Sequence, residues 1–194
     1  MAGAPVRLTL AQEPGADDLL SRDPFALLVG MLLDQQFPME RAFAGPRLIA
    51  DRMGVDRLDP VAVAEADPEA FAALLTGPPA VHRFPGSMAA RVQALAAYVV
   101  DHHGGDAARI WTEAADGADL RRRLRALPGF GDQKAAIFLA LLGKQLGVQP
   151  AGWREAAGPY GEEGSRRSVA DVTDAASLAQ VRAYKREAKR AAKG

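Results

Sequence analysis

The chain has 194 residues, 48% of them apolar, which suits one domain with a sizeable core. Its 24 basic and 24 acidic residues cancel, so a strongly basic global field is excluded and any nucleic-acid contact must rest on a local patch. Cysteine is absent, which excludes disulfides, a thiol nucleophile, a cysteine-ligated zinc and an iron–sulfur cluster, and is compatible with a reducing cytoplasm.

Met1-Ala2-Gly3-Ala4-Pro5 has no charged region leading into an apolar core, so no signal peptide is expected. Asp23-Pro24 supplies an N-cap and a first-turn proline for a buried helix that runs from Phe25 to near Gln35-Gln36. Pro38 opens a second helix, through about Arg52, which Gly54 ends. Asp59-Pro60 and Asp67-Pro68 repeat the start signal before short helices over Val61 to Ala66 and Glu69 to Leu75. Gly77-Pro78-Pro79 reads as a loop. Ser87 is expected to cap a long amphipathic helix reaching about His102, with Val92, Leu95, Ala96 and Val99 on its buried face and Gly104-Gly105 at its end. A helix over Asp119 to Arg125, with Leu120 and Leu124 inward, precedes a nearly continuous apolar helix over Ala135 to Leu146. No clear alternation of apolar and polar residues marks a strand, so the expected class is all-α. No run of about 20 apolar residues exists to span a membrane.

Between the last two helices lies Leu127-Pro128-Gly129-Phe130-Gly131-Asp132-Gln133-Lys134. Pro128 stops the first helix, and the two glycines are expected to adopt dihedrals that a side chain would forbid. The second helix then starts with unpaired N–H groups, an arrangement suited to phosphate. Two glycines flanking one apolar residue form a helix-hairpin-helix pattern, which holds a DNA backbone without reading sequence; an ordinary glycine-capped turn has the same local signature. The tail adds Arg182, Lys185, Arg186, Lys189, Arg190 and Lys193 at helical spacing against one acid, Glu187. That basic helix, over about 174–193, can lie along DNA or simply face water.

In the order of these segments the chain resembles the HhH-GPD superfamily of base-excision DNA glycosylases. The resemblance rests on Leu27 to Phe43 with its Leu32-Leu33-Asp34-Gln35-Gln36, on His82 to Asp106 with Arg83-Phe84-Pro85-Gly86-Ser87-Met88-Ala89, and on the hairpin from Leu120 to Leu142. It implies a monomeric all-α fold, one domain over 1–194, with two helical lobes around a cleft and the helix-hairpin-helix at about 119–146. It further implies a cytoplasmic, nucleoid-associated protein that binds double-stranded DNA at a damaged or mismatched base. Such a protein flips the nucleotide out of the stack and cuts its N-glycosidic bond. DNA contact is then expected at Leu127, Gly129, Phe130, Gly131, Gln133 and Lys134. Gln35 or Gln36 would fill the gap left by the flipped base. No cofactor is implied beyond a monovalent cation, which hairpin carbonyls near Leu127 and Gly129 can hold.

Two departures shape the expected activity. Bifunctional members carry a lysine two residues after the second hairpin glycine, whose amine attacks the sugar. Gln133 stands there, and Lys134 follows about 100° further round the helix, where its amine is expected to point away from the cleft as a phosphate contact or a solvated group. Lyase chemistry is therefore not expected. The family's aspartate, which opposes positive charge on the sugar, falls just past the apolar helix; here that place is Ala151 to Glu155. Glu155 is the nearest carboxylate, and Asp171 is the alternative if an insertion displaces it. Without the family's aspartate in place, the chain is a slow glycosylase, one that uses a displaced acid, or a non-catalytic reader of damaged DNA. Met31 stands where the adenine-specific branch carries a glutamate, so adenine removal is not expected.

Trp153 is a candidate for stacking on an extruded base, or a core residue, and Trp111 reads as core. His82 beside Arg83 can contact phosphate or hold a helix end. His82, His102 and His103 lack metal-ligand spacing. Arg121, Arg122, Arg123 and Arg125 can extend a basic footprint or face water.

Overall fold

The computed structural model describes residues 6–194, so the stretch read for a signal peptide lies outside the described residues. Within them every regular element is helical and there is no strand. Proline and aspartate set the starts. Helix α1 (Pro14–Arg22) buries Leu19 and Leu20. For α2 (Pro24–Leu33), one Asp23 oxygen accepts from the N–H groups of Phe25 and Ala26 at 3.1 and 3.3 Å, and the other from Leu58 at 2.8 Å. The cap thus also ties α2 to a distant loop. Helix α3 (Met39–Met53) closes on Gly54 at φ +70°. Asp59 and Asp67 cap α4 (Pro60–Glu65) and α5 (Pro68–Thr76).

The long helix α6 (Pro85–His103) starts two residues before Ser87, the cap expected from the sequence. Pro85 occupies its first turn and Phe84 the N-cap position, because proline's fixed φ is already helical. Its inward face is the expected one, Val92, Leu95, Ala96 and Val99. After α7 (Arg109–Thr112) come α8 (Gly117–Arg125), α9 (Asp132–Gln145), α10 (Trp153–Ala157) and α11 (Ala175–Ala191). Helices α1, α7 and α10, none of which has an aspartate–proline start, were not expected from the sequence.

Two groups of helices share one continuous core. Helices α1, α2 and α3 pack on one another, and α6 packs on α4, α5 and α2. Helices α8, α9 and α10 form the second group, with α7 against α8. Gly143 lets α10 approach α9: a Cβ there would lie 2.3 Å from the Trp153 ring. Trp153 is therefore a core residue, as is Trp111, whose ring centroid lies 5.9 Å from that of Phe138. Helix α11 starts on a capping box between Asp174 and Ser177 and buries only Ser177, Leu178 and Val181. Its later turns stand in solvent. Among the described residues no helix is long and apolar enough to cross a membrane, and no group of side chains is arranged to hold a metal ion.

Candidate functional site

The end of α2 meets the start of α9, and between them opens a cavity of about 480 Å³. Its walls are Met31, Asp34 and Gln35 from the α2 end, Gln133, Lys134 and Ile137 from α9, Pro159 and Tyr160 from the turn after α10, Arg167, and three residues of α11. A volume of this size accommodates a ligand as large as a nucleobase with its sugar. Gln133 donates to the Tyr160 hydroxyl at 2.9 Å, which closes one side.

Lys134 corrects the expectation that its amine leaves the cleft. Its Nζ donates to the carbonyls of Met31 and Leu32 at 2.6 and 3.2 Å, with that of Asp34 at 3.5 Å. The face of α9 on which Lys134 lies is covered by the end of α2, whose last carbonyls are short of helical partners and attract a cation. Burial lowers its amine to about 8, and the Asp34 carboxylate opposes that fall. Lys134 is thus half-buried in the cavity wall, with its amine directed at the α2 end.

The hairpin is built unequally. Gly129 has φ +80°, and a Cβ there would come within 2.4 Å of Leu32 Cδ1. Gly131, the N-cap of α9, has φ −77° and ψ −178°, ordinary extended backbone, with open space where a Cβ would stand. Only the first glycine therefore needs the conformation expected of both. Leu127 and Phe130 are buried, Phe130 edge-on to Phe138, so only their backbone can reach a ligand. The Leu127 carbonyl accepts from the Phe130 N–H at 3.0 Å, leaving one of its lone pairs and the Gly129 carbonyl for a cation. No side chain caps the first turn of α9.

The glutamine pair divides in role. Gln35 is tied: its amide donates to the Leu32 carbonyl at 2.7 Å, its side-chain oxygen accepts from Arg91 at 2.9 Å, and its backbone carbonyl meets His82 Nε2 at 3.0 Å. Gln36 is exposed, at φ +52°, with no side-chain hydrogen bond among the described residues. His82 is buried rather than set toward phosphate; its Nδ1 accepts from the Phe84 N–H at 3.0 Å, so Nε2 carries the proton given to Gln35. Phe84, 43% exposed beside this turn, is an apolar surface residue with no role expected from sequence.

Neither carboxylate expected as the acid lines the cavity. Glu155 is exposed on the outer side of α10, beside Glu162 and Glu163. Asp171 is buried and committed: Lys144 Nζ lies at 2.6 Å, and Ser165 Oγ and the Arg167 N–H donate to its other oxygen at 3.1 and 2.9 Å. The arginines before the hairpin are largely paired as well. Arg121 bonds Asp132 at 2.7 Å, while Arg122 and Arg123 hold Asp119, whose carboxyl the Ala115 N–H and these two arginines lower to about 2. Arg182 of the basic helix pairs with Glu40; Lys185, Arg186, Lys189, Arg190 and Lys193 make no ion pair among the described residues.

The carboxylate that does line the cavity is Asp34, the C-cap of α2. Its side chain makes no hydrogen bond or ion pair among the described residues. Burial raises its pKa, while Lys185 and Lys134 oppose that rise. One signal for it was present in the sequence: an acid at the C-terminal end of an apolar helix opposes the helix dipole. No protein-family model matches this chain, and no curated protein matches it.

Proposed function

We propose that this chain is a divergent member of the HhH-GPD superfamily that binds duplex DNA at a damaged or mismatched base. In this reading it hydrolyses the N-glycosidic bond of the base swung into the cleft, as a monofunctional glycosylase of the nucleoid-associated cytoplasm. The carrying observation is adjacency: the uncapped start of α9, the exposed Gln36 turn and the 480 Å³ cavity all meet where α2 ends. The hairpin N–H groups would take a phosphate, Gln36 would enter the gap in the stack, and the extruded nucleotide would enter the cavity. Gln36 suits a wedge because nothing holds its side chain and its backbone is in a conformation that non-glycine residues rarely adopt. Phe84 adds an apolar surface beside it.

Absence of lyase chemistry is supported by Gln133 at the lysine position and by Lys134 donating to α2 carbonyls, which occupies the amine. A second reading, a non-catalytic reader of damaged DNA, draws support from the placement of Glu155 and Asp171 outside the cavity.

The test is release of free base, by mass spectrometry, from duplexes carrying uracil, oxidised guanine or alkylated purines, alongside binding to a duplex with a tetrahydrofuran abasic site. Release without borohydride-trappable protein is the expected result. Lesion-selective binding without release moves the assignment to the reader. Absence of binding to any duplex at moderate salt overturns both.

A further inference from the structure

Resting on that reading, we infer that Asp34 is the carboxylate that faces the reacting sugar, in the place left empty by Glu155 and Asp171. Asp34 sits where α2 ends, at the negative end of the helix dipole, in the wall of a cavity, with no hydrogen-bond donor or ion-pair partner among the described residues. A serine or asparagine would end the helix at lower electrostatic cost. Asp34 is half-buried, and the three fully buried acids are engaged: Asp17 accepts from the Ala11 and Glu13 N–H groups, Asp23 caps α2, and Asp171 is ion-paired. Asp34 is the acid in the wall of the 480 Å³ cavity, and no protein donor holds its carboxylate.

The surroundings suit that role. Lys134 delivers its amine to the α2 carbonyls, so the dipole that would repel Asp34 is partly neutralised. Arg167 is held by the Tyr184 hydroxyl at 3.0 Å and by Glu162 at 3.5 Å. Lys185 is the cation of the cavity wall without a protein partner, and it suits the phosphate beside the flipped sugar. In the reaction the C1′–N bond breaks and its electron pair leaves with the base. Water oxygen bonds C1′, the Asp34 carboxylate takes the proton that water loses, and that proton passes to the departing base nitrogen. The products are a free base and an abasic sugar, with no other reactant. Positive charge developing on the sugar during bond breaking is opposed by the same carboxylate.

The test compares wild type, Asp34→Asn and Glu155→Gln. Asp34→Asn preserves shape and removes only charge from a side chain with no protein hydrogen bonds, and an unchanged melting temperature verifies its fold. Two readouts are taken at one salt concentration: base release, and the affinity ratio for duplexes carrying a cationic pyrrolidine or a neutral tetrahydrofuran abasic analogue. Wild type and Glu155→Gln are expected to prefer the cationic analogue by at least about tenfold, because a carboxylate close to the charge favours it. Asp34→Asn is expected to lose that preference and to release base about 100-fold more slowly or worse, with tetrahydrofuran affinity unchanged. Preference or release retained in Asp34→Asn overturns the role of Asp34. So does a wild type that binds the tetrahydrofuran duplex without favouring the cation, a result that leaves the DNA-binding reading standing. A wild type that binds neither duplex overturns that reading and the inference with it.

Discussion

Gly129 and Gly131 look equivalent in the sequence, yet their backbones assign them different work. Gly129→Ala meets both an unfavourable left-handed φ and Leu32 Cδ1, so it is expected to destabilise the fold by about 2 kcal/mol or more, seen as a lowered melting temperature. Gly131→Ala meets nothing in the protein and has an ordinary φ, so its melting temperature is expected to stay within a degree or two of wild type. Its added methyl projects into the space in front of the α9 start, where a phosphate would approach. Weakened binding to duplex DNA at unchanged stability is therefore the expected signature, and unaltered binding would count against the hairpin as the DNA contact. Asp171 poses the opposite hazard. Its side chain and that of Lys144 are 2% and 14% exposed, and Asp171→Asn strands the lysine charge. A loss of about 3–5 kcal/mol is expected. Lost base release in that variant would thus report lost folding, which a thermal melt distinguishes from lost chemistry.

At the scale of elements, the aspartate–proline starts were readable because a cap and a fixed φ act locally, and they placed α2, α4 and α5 from residues alone. What local sequence misplaced or left open was decided by a partner elsewhere in the chain. The direction of Lys134 depends on α2, and the burial of Trp153 depends on a glycine of α9. The commitment of Asp171 depends on Lys144 of α9. His82 is another such case, because it joins the turn after α2 to the start of α6 through one hydrogen bond on each ring nitrogen. Burial lowers its pKa below the ordinary 6.5. The unfolded chain therefore takes up a proton before the folded one, and stability falls as pH drops through and below about 6.5. His103 shifts in the same direction, so the informative quantity is the difference between wild type and His82→Leu. His82→Leu is expected to cost about 1–3 kcal/mol at pH 7.5, by stranding the Gln35 carbonyl and the Phe84 N–H, and to show a shallower loss between pH 7.5 and 5.5 in chemical denaturation. Helix α11 makes a separable prediction. Arg186, Lys189 and Arg190 are exposed and unpaired among the described residues, so their triple replacement by glutamine is expected to leave the melting temperature unchanged. If α11 lies along DNA, the slope of log affinity against log salt falls in magnitude by roughly 2–3. An unchanged slope places this helix away from DNA.

Over the whole molecule, the two groups of helices are joined where an amine from one closes the open end of a helix in the other. Lys134 of α9 bonds carbonyls about a hundred positions earlier in the chain, at the α2 end that also carries Asp34 and the glutamine turn. The hairpin helix, the Gln36 turn and the cavity wall are therefore tied through Lys134, and loosening Lys134 should be felt in all three. Lys134→Met keeps the aliphatic bulk and removes the donors, leaving the α2 carbonyls without them; about 1–3 kcal/mol of stability should go with them. The pH dependence separates this tie from simple packing. The folded amine titrates at about 8, against 10.5 for an ordinary lysine, so between those values the unfolded chain holds the proton that the folded chain has released. The sign follows: wild-type stability gains a contribution as pH rises from about 8 toward 10.5, because the burden of burying a charged amine disappears. Lys134→Met lacks that contribution, so the stability gap between the two proteins should widen with pH across this window in denaturant titrations. A constant gap would mean that Lys134 is charged throughout and acts only as a cap. If the gap widens while binding to a tetrahydrofuran duplex weakens in the variant at pH 7.5, the tie that joins the two helix groups also sets the shape of the DNA-facing surface.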